Sequence, residues 1–145
     1  MKNFTVATAE SCTGGLLASR LTDFAGASAY VKGGVVAYNN DIKNKILHVK
    51  AETLEEFGAV SSQTALEMAT NVREIFSATI GLSTTGVAGP SISEGKPVGL
   101  VYVAIVGEDF SEVKECHFKG SRSEIKFLAA DEAFKLLAEH CFDVD

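Results

Sequence analysis

The chain is short of several things, and each shortage excludes something. It has three cysteines, Cys12, Cys116 and Cys141, an odd number with no close pair. That pattern provides neither a disulfide framework nor zinc-ligand spacing, and it fits a reducing compartment. Positive charge is not in excess: 13 Lys and Arg stand against 19 Asp and Glu, a net charge of −6. No basic stripe is left to neutralise a nucleic-acid backbone, so direct nucleic-acid binding is not expected. No apolar run approaches the length of a membrane span, and Met1 to Ala7 lack the apolar stretch of a signal peptide. These absences together predict a cytoplasmic protein without membrane contact or a zinc site. There are only two prolines, Pro90 and Pro97, and they bracket one loop.

What is present suffices for one packed domain. The 145 residues are 46% hydrophobic and 22% charged. That balance excludes a disordered chain, and the length matches a single domain spanning residues 1–145.

Strands and helices alternate along the chain. Thr5 to Ala9 reads as a short strand, followed by the glycine turn Ser11-Cys12-Thr13-Gly14-Gly15 and a helix through Leu16, Leu17 and Leu21. Tyr30 to Tyr38 reads as a strand with Gly33-Gly34 inside it, a mark of a bulge or of a close approach by backbone or ligand. Asp41 to Val49 and Thr53 to Phe57 read as short helices, with Ile42, Ile46 and Leu47 on one side of the first. Ser61 or Ser62 caps a longer helix whose apolar positions are Leu66, Ala69, Val72 and Phe76. Ile80 to Thr84 is a strand. Leu100 to Val106 is an unbroken apolar run, the pattern of a strand buried on both faces, and Glu112 to Phe118 follows too soon for anything but an antiparallel partner. Ser121 and Glu124 have capping-box spacing at the start of the last helix. The pattern predicts a three-layer α/β/α sandwich on a mixed, mainly parallel sheet.

Chemistry is expected where strands end, because open α/β sheets bind ligands there. Ser11 sits on a strand-to-helix turn, where it is a nucleophile or phosphate ligand, or else Ser11 or Thr13 is a plain helix cap. Cys12 is a rival nucleophile if its pKa is lowered, and otherwise a small buried residue. None of the three histidines sits beside a turn shaped for catalysis, so nothing points to a Ser-His-Asp triad, although its partners can be distant in sequence. A lysine can serve as the base where burial or neighbouring charge lowers its pKa. Tyr38 and Lys43 follow the glycine strand at its end and can face one cleft; the ordinary fate of such a Lys is a solvated helix face. Thr85-Gly86-Val87-Ala88-Gly89-Pro90 forms a backbone cradle for an anion or a flat ring, and Arg122 supplies a fixed cation or a surface ion pair.

Five stretches together resemble the CinA C-terminal domain family. They are Glu10 to Gly15, Gly33 to Lys43, Gly58 to Ser61, Thr85 to Pro90 and Lys96 to Gly99, in order and at matching spacing. The similarity runs from about Thr5 into the last helix. The family includes nicotinamide-nucleotide amidohydrolases. The resemblance implies hydrolysis of nicotinamide mononucleotide to nicotinate mononucleotide and ammonia, a step of pyridine nucleotide recycling, with no metal or organic cofactor. It implies Ser11 as nucleophile, Lys43 as base and Tyr38 as proton relay. The N–H groups at Thr13 and Gly14 would hold the oxyanion. Ser28, Thr85, Gly86, Gly89 and Arg122 would seat the substrate. A homodimer is the expected assembly.

Two departures stand out. Relatives carry a helix before the first strand, and here about four residues precede it, so an apolar groove is expected to lie uncovered. The segment Ser91-Ile92-Ser93-Glu94-Gly95 has one glycine where relatives often have several, which bears on loop closure. The competing reading keeps the fold with weak or no turnover, as a nucleotide-binding module linked to competence or DNA damage. A structural scaffold fits poorly, since it gives no reason for polar residues to converge on several strand ends.

Overall fold

β1 runs from Val6 to Glu10 as an inner strand of a five-stranded sheet, in a computed structural model that describes residues 3–141. The other strands are β2 (Val31–Val36), β3 (Ile80–Gly86), β4 (Leu100–Val106) and β5 (Ser111–His117), in the order β2-β1-β3-β4-β5. β2, β1 and β3 are parallel neighbours, while β4 is antiparallel to both β3 and β5. Four strands thus share one direction, as a mixed, mainly parallel sheet requires. The helices are α1 (Leu16–Leu21), α2 (Asn40–Lys45), α3 (Ala51–Phe57), α4 (Ser62–Ile75) and α5 (Arg122–Cys141), with a single 3-10 turn at Ala27–Ala29.

Alternation along the strands sorts the side chains into two unlike layers. Val6, Ile80, Leu82, Val101, Val103 and Ile105 face α1 and α5 and pack with Leu17, Ile125, Ala129 and Leu136. The opposite face meets α4 with small residues. Ala7 and Ala9 pack with Met68 and Val72 there, and Ala104 packs with Ala65 and Ala69. Ser83 Oγ donates to the Ala65 carbonyl at 2.6 Å, so the helix rests directly on the strand.

The caps follow the spacing. Ser61 Oγ accepts from the Thr64 N–H at 3.1 Å and starts α4. Ser121 and Glu124 close a reciprocal box at α5: Glu124 Oε1 accepts from the Ser121 N–H at 2.8 Å, and Ser121 Oγ from the Glu124 N–H at 3.3 Å. Two apolar assignments fail. α2 ends at Lys45, so Ile46 lies in the following turn and is exposed while Leu47 is buried. Leu66 faces outward, and Met68 takes the core place beside Ala69 and Val72. Helical spacing admits either face at such positions, and the small residues of β1 and β3 select the one that lets α4 lie close.

Gly33 and Gly34 serve the sheet rather than a ligand. The β1–β2 register slips between Val6 and Ala7, so a bulge does lie here. A Cβ on Gly34 would lie 2.1 Å from Thr8 Oγ1 and 2.8 Å from the Thr8 carbonyl. Thr8 itself is fully buried, and its hydroxyl has no hydrogen-bond partner among the described residues. Among the described residues an apolar groove of about 720 Å³ runs between α1 and α5, lined by Phe4, Leu21, Phe24, Tyr30, Phe134 and Leu137 among others. Among the described residues no helix is long and apolar enough to cross a membrane.

An unpaired buried hydroxyl costs about 1–3 kcal/mol. Thr8→Val should therefore raise stability by about 1 kcal/mol, roughly 3 °C in melting temperature. Gly34→Ala should lower it by about 1–3 kcal/mol through overpacking against Thr8. Urea and thermal melts measure both, and a destabilised Thr8→Val would show that the hydroxyl is bonded after all.

Candidate active site

The carboxyl ends of β1 and β3 open into a cavity of about 560 Å³. Ser11, Tyr38, Lys43, Thr85, Gly86, Gly89 and Arg122 all line it, joined by Cys12, Ala59, Val60 and Glu94. Residues from five separate stretches of sequence therefore meet in one place.

Glu10, the last residue of β1, sets the turn that presents Ser11. It is fully buried, and its Oε1 accepts from the N–H groups of Gly15 at 3.2 Å and Leu17 at 2.8 Å. Its Oε2 accepts from the Ala18 N–H at 2.9 Å, and the Thr13 hydroxyl also donates to Oε1, at 2.5 Å. An acidic group at a helix start takes up N–H groups that no earlier turn can satisfy. Glu10, not Ser11 or Thr13, is the cap of α1. Gly14 N–H closes the turn onto the Ser11 carbonyl at 3.0 Å, and Ser11 N–H is fixed to the Thr84 carbonyl at 3.0 Å. The Ser11 hydroxyl is left free of these backbone duties.

Lys43 comes from α2, which Asn39 caps by accepting from the Ile42 N–H at 2.9 Å. The helix places the lysine inward, where it is only 1% exposed. This burial overturns the solvated-face reading. Lys43 Nζ lies 2.9 Å from Ser11 Oγ, 2.9 Å from the Ala37 carbonyl and 3.2 Å from the Tyr38 carbonyl. Burial lowers its pKa from 10.5 to about 8, against the smaller opposing pull of Cys12 and Glu94. A neutral amine has two N–H donors and one lone pair. The two carbonyls can take the donors, which turns the lone pair to the Ser11 hydroxyl. Cys12 is driven the other way. Burial pushes its thiol up to about 12, with Glu10 adding to the effect, so it stays protonated and is a poor nucleophile.

At the mouth, Arg122 is the first residue of α5. Its Nη2 donates to the Tyr38 hydroxyl at 2.6 Å, and its Nη1 donates to the Gly89 carbonyl. Thr85 is buried on the floor and donates to the Ala59 carbonyl at 2.8 Å.

The Thr13 side chain is fully buried beneath the turn, between Glu10 and Thr84, so only its backbone N–H bears on the expected oxyanion contact. Two expected positions lie elsewhere. Gly14 sits on the outside of the turn with φ +60°, near Lys126. Ser28 is exposed in the 3-10 turn before β2, at the opposite end of the strands. Chain order near a strand does not say which end of it a residue occupies. Two acids went unassigned in the sequence. Glu10 was legible only as the first letter of its motif. Glu94 depends on contacts with residues about 35 positions away. Among the described residues, no group of three His, Cys, Asp or Glu side chains is placed to hold a metal ion.

Known proteins are similar to this one over nearly the whole chain. A protein of Desulforamulus reducens is 52% identical over 136 residues, which is 94% of this chain and 33% of that protein. The CinA-like protein of Syntrophomonas wolfei is 48% identical over 136 residues, 93% of this chain and 33% of its own. The chain thus spans about a third of the length of the curated relatives it matches. The crystal structure of the competence/damage inducible protein CihA from Agrobacterium tumefaciens superposes with a TM-score of 0.91 at 43% identity, over 94% of this chain and 85% of that one. The competence damage-inducible protein A from Klebsiella pneumoniae gives 0.92 at 34% identity, over 95% and 86%. The family model described as the CinA C-terminal domain matches residues 1–141, and the chain belongs to that family.

Proposed function

We propose that the chain is an amidohydrolase that converts nicotinamide mononucleotide to nicotinate mononucleotide and ammonia, a recycling step for pyridine nucleotides. The observation that carries this reading is the buried 2.9 Å contact between Lys43 Nζ and Ser11 Oγ, with the lysine pKa brought down to about 8. A serine needs a base within hydrogen-bond reach to become a nucleophile, and this is one.

In the proposed sequence, neutral Lys43 takes the Ser11 proton as Oγ attacks the carboxamide carbon. The oxyanion faces the turn after β1. Gly14 N–H is already committed there, and so are those of Gly15, Leu17 and Ala18, which leaves Cys12 and Thr13 N–H for this task. Collapse breaks the C–N bond, and the proton held on Lys43 passes to the departing nitrogen, with Tyr38 as relay. Water, deprotonated by Lys43, then hydrolyses the acyl ester and frees Ser11. Arg122 and the Gly86–Gly89 backbone receive the ribose phosphate, so one cation and a loop suffice despite a net charge of −6. The same fold without turnover, acting as a nucleotide-binding regulatory module, is the reading to be distinguished. The expected assembly in solution is a homodimer.

Ammonia release from nicotinamide mononucleotide, compared with nicotinamide and NAD, tests the proposal. Ser11→Ala and Lys43→Met should each lower kcat by at least about a thousandfold. Tight binding without ammonia release in the unaltered chain would favour the module instead. The rate should rise with pH to half its maximum near pH 8, because only the neutral form of Lys43 accepts the proton. A flat profile between pH 6 and 9 would remove Lys43 as the base. Arg122→Gln should raise KM by about tenfold with a smaller fall in kcat.

A further inference from the structure

The loop between the two prolines sends two charged side chains across to the turn after α3. Glu94 Oε2 accepts from the Ala59 N–H at 2.9 Å, and its Oε1 accepts from the Val60 N–H at 3.1 Å. Lys96 Nζ donates to the carbonyls of Phe57 at 2.8 Å and Val60 at 2.5 Å, and lies 3.3 Å from Glu94 Oε1. One acid and one base thus take up two N–H and two C=O groups of a single turn. The backbone on both sides is shaped to permit this. Gly58 has φ +83°, and a Cβ there would lie 2.7 Å from Glu94 Oε1 and 2.9 Å from Lys96 Nζ. Glu94 is itself left-handed at φ 56°, which costs a non-glycine residue about 1–2 kcal/mol. Such strain persists only where surrounding bonds hold it, and it concentrates at functional sites.

The turn that is gripped is a wall of the active-site cavity. Ala59 and Val60 line it together with Glu94, and the Ala59 carbonyl anchors Thr85 on the floor. We propose that Glu94 and Lys96 form a clasp that sets the Ala59–Val60 wall against the Ser11–Lys43 pair, making Glu94 a positioning residue for the ring presented to Ser11. The kinetic part of this inference rests on the amidohydrolase reading; the clasp does not.

The charge of Glu94 has a second effect. Burial opposes that charge, but the Ala59 and Val60 N–H groups and Lys96 outweigh it and hold the carboxyl below its usual range. Glu94 is then an anion at neutral pH, facing the cavity that holds Lys43. The other titratable groups there are Cys12, Tyr38 and Arg122, while Asp41 and Lys45 pair with each other on the exposed side of α2. Loss of the Glu94 charge should therefore make Lys43 easier to deprotonate.

The test uses Glu94→Gln, with Gly58→Ala as a second variant that leaves both charges in place. In Glu94→Gln the Ala59 and Val60 amides should exchange with solvent at least about tenfold faster. KM for nicotinamide mononucleotide should rise at least about fivefold, by more than kcat falls. The Lys43 side-chain titration, followed by NMR and assigned by its loss in Lys43→Met, should move to lower pH. Gly58→Ala should reproduce the faster exchange and the higher KM. A fall in melting temperature with KM and the Lys43 titration unmoved would reduce Glu94 to a stabilising contact and overturn the inference, as would unaltered amide exchange in either variant. If the unaltered chain releases no ammonia, the amidohydrolase reading fails, while exchange and titration still decide the clasp.

Discussion

An amine buried without a carboxylate beside it governs the carboxyl edge of this sheet. Lys43 is 1% exposed, and its three hydrogen-bond partners are two carbonyls and a serine hydroxyl. Holding its pKa near 8 instead of 10.5 corresponds to a cost on the order of 3 kcal/mol for keeping the proton there. The fold meets that cost with neighbouring elements. The connection after β2 supplies the Ala37 and Tyr38 carbonyls, the Asn39 cap aims α2, and Glu10 fixes the turn that carries Ser11. A solvated lysine would be simpler to build, so the arrangement is best understood as serving chemistry, in keeping with the rule that strongly perturbed groups gather at functional sites.

The two carboxyl groups nearest the site have structural duties that are easily mistaken for catalytic ones. Glu10 spends both oxygens on the start of α1, and Glu94 spends both on the turn after α3. Neither has an oxygen free of these backbone bonds. The division of labour is clear: acids shape the walls, a lysine and a serine face the cavity, and an arginine stands at its mouth.

Much of the fold was legible because local rules agreed with tertiary packing. The Ser61 cap, the Ser121–Glu124 box, the apolar run of β4 and its antiparallel partner follow from short-range chemistry. Leu66 falls outside the core because a helical period does not say which face wins, and the small residues under α4 decide that; Ile46 does so because α2 stops one residue before it. Ser11 and Lys43 were identified from a turn and a resemblance, yet their 2.9 Å contact joins residues 32 positions apart. Ser28 and Gly14 fall away from the cavity for lack of two facts the order of residues does not carry: which end of a strand a turn occupies, and which N–H groups a turn already uses. Glu94 was quoted only as part of an unusual loop, since its partners lie before β3.

The unlike layers of the sandwich have a consequence for how such a chain varies. Ala7, Ala9, Ser83 and Ala104 lie in the layer beneath α4, where added volume meets helix backbone almost at once. On the other side, leucines, isoleucines and valines meet α5 through long side chains that can trade volume among themselves. A randomised library of this domain would therefore accumulate its accepted core changes on the α5 side and keep the α4 side nearly constant. The rigid layer carries α4 and the loop that starts it, Gly58 to Ser61, so the cavity wall is built on the half of the protein least free to drift.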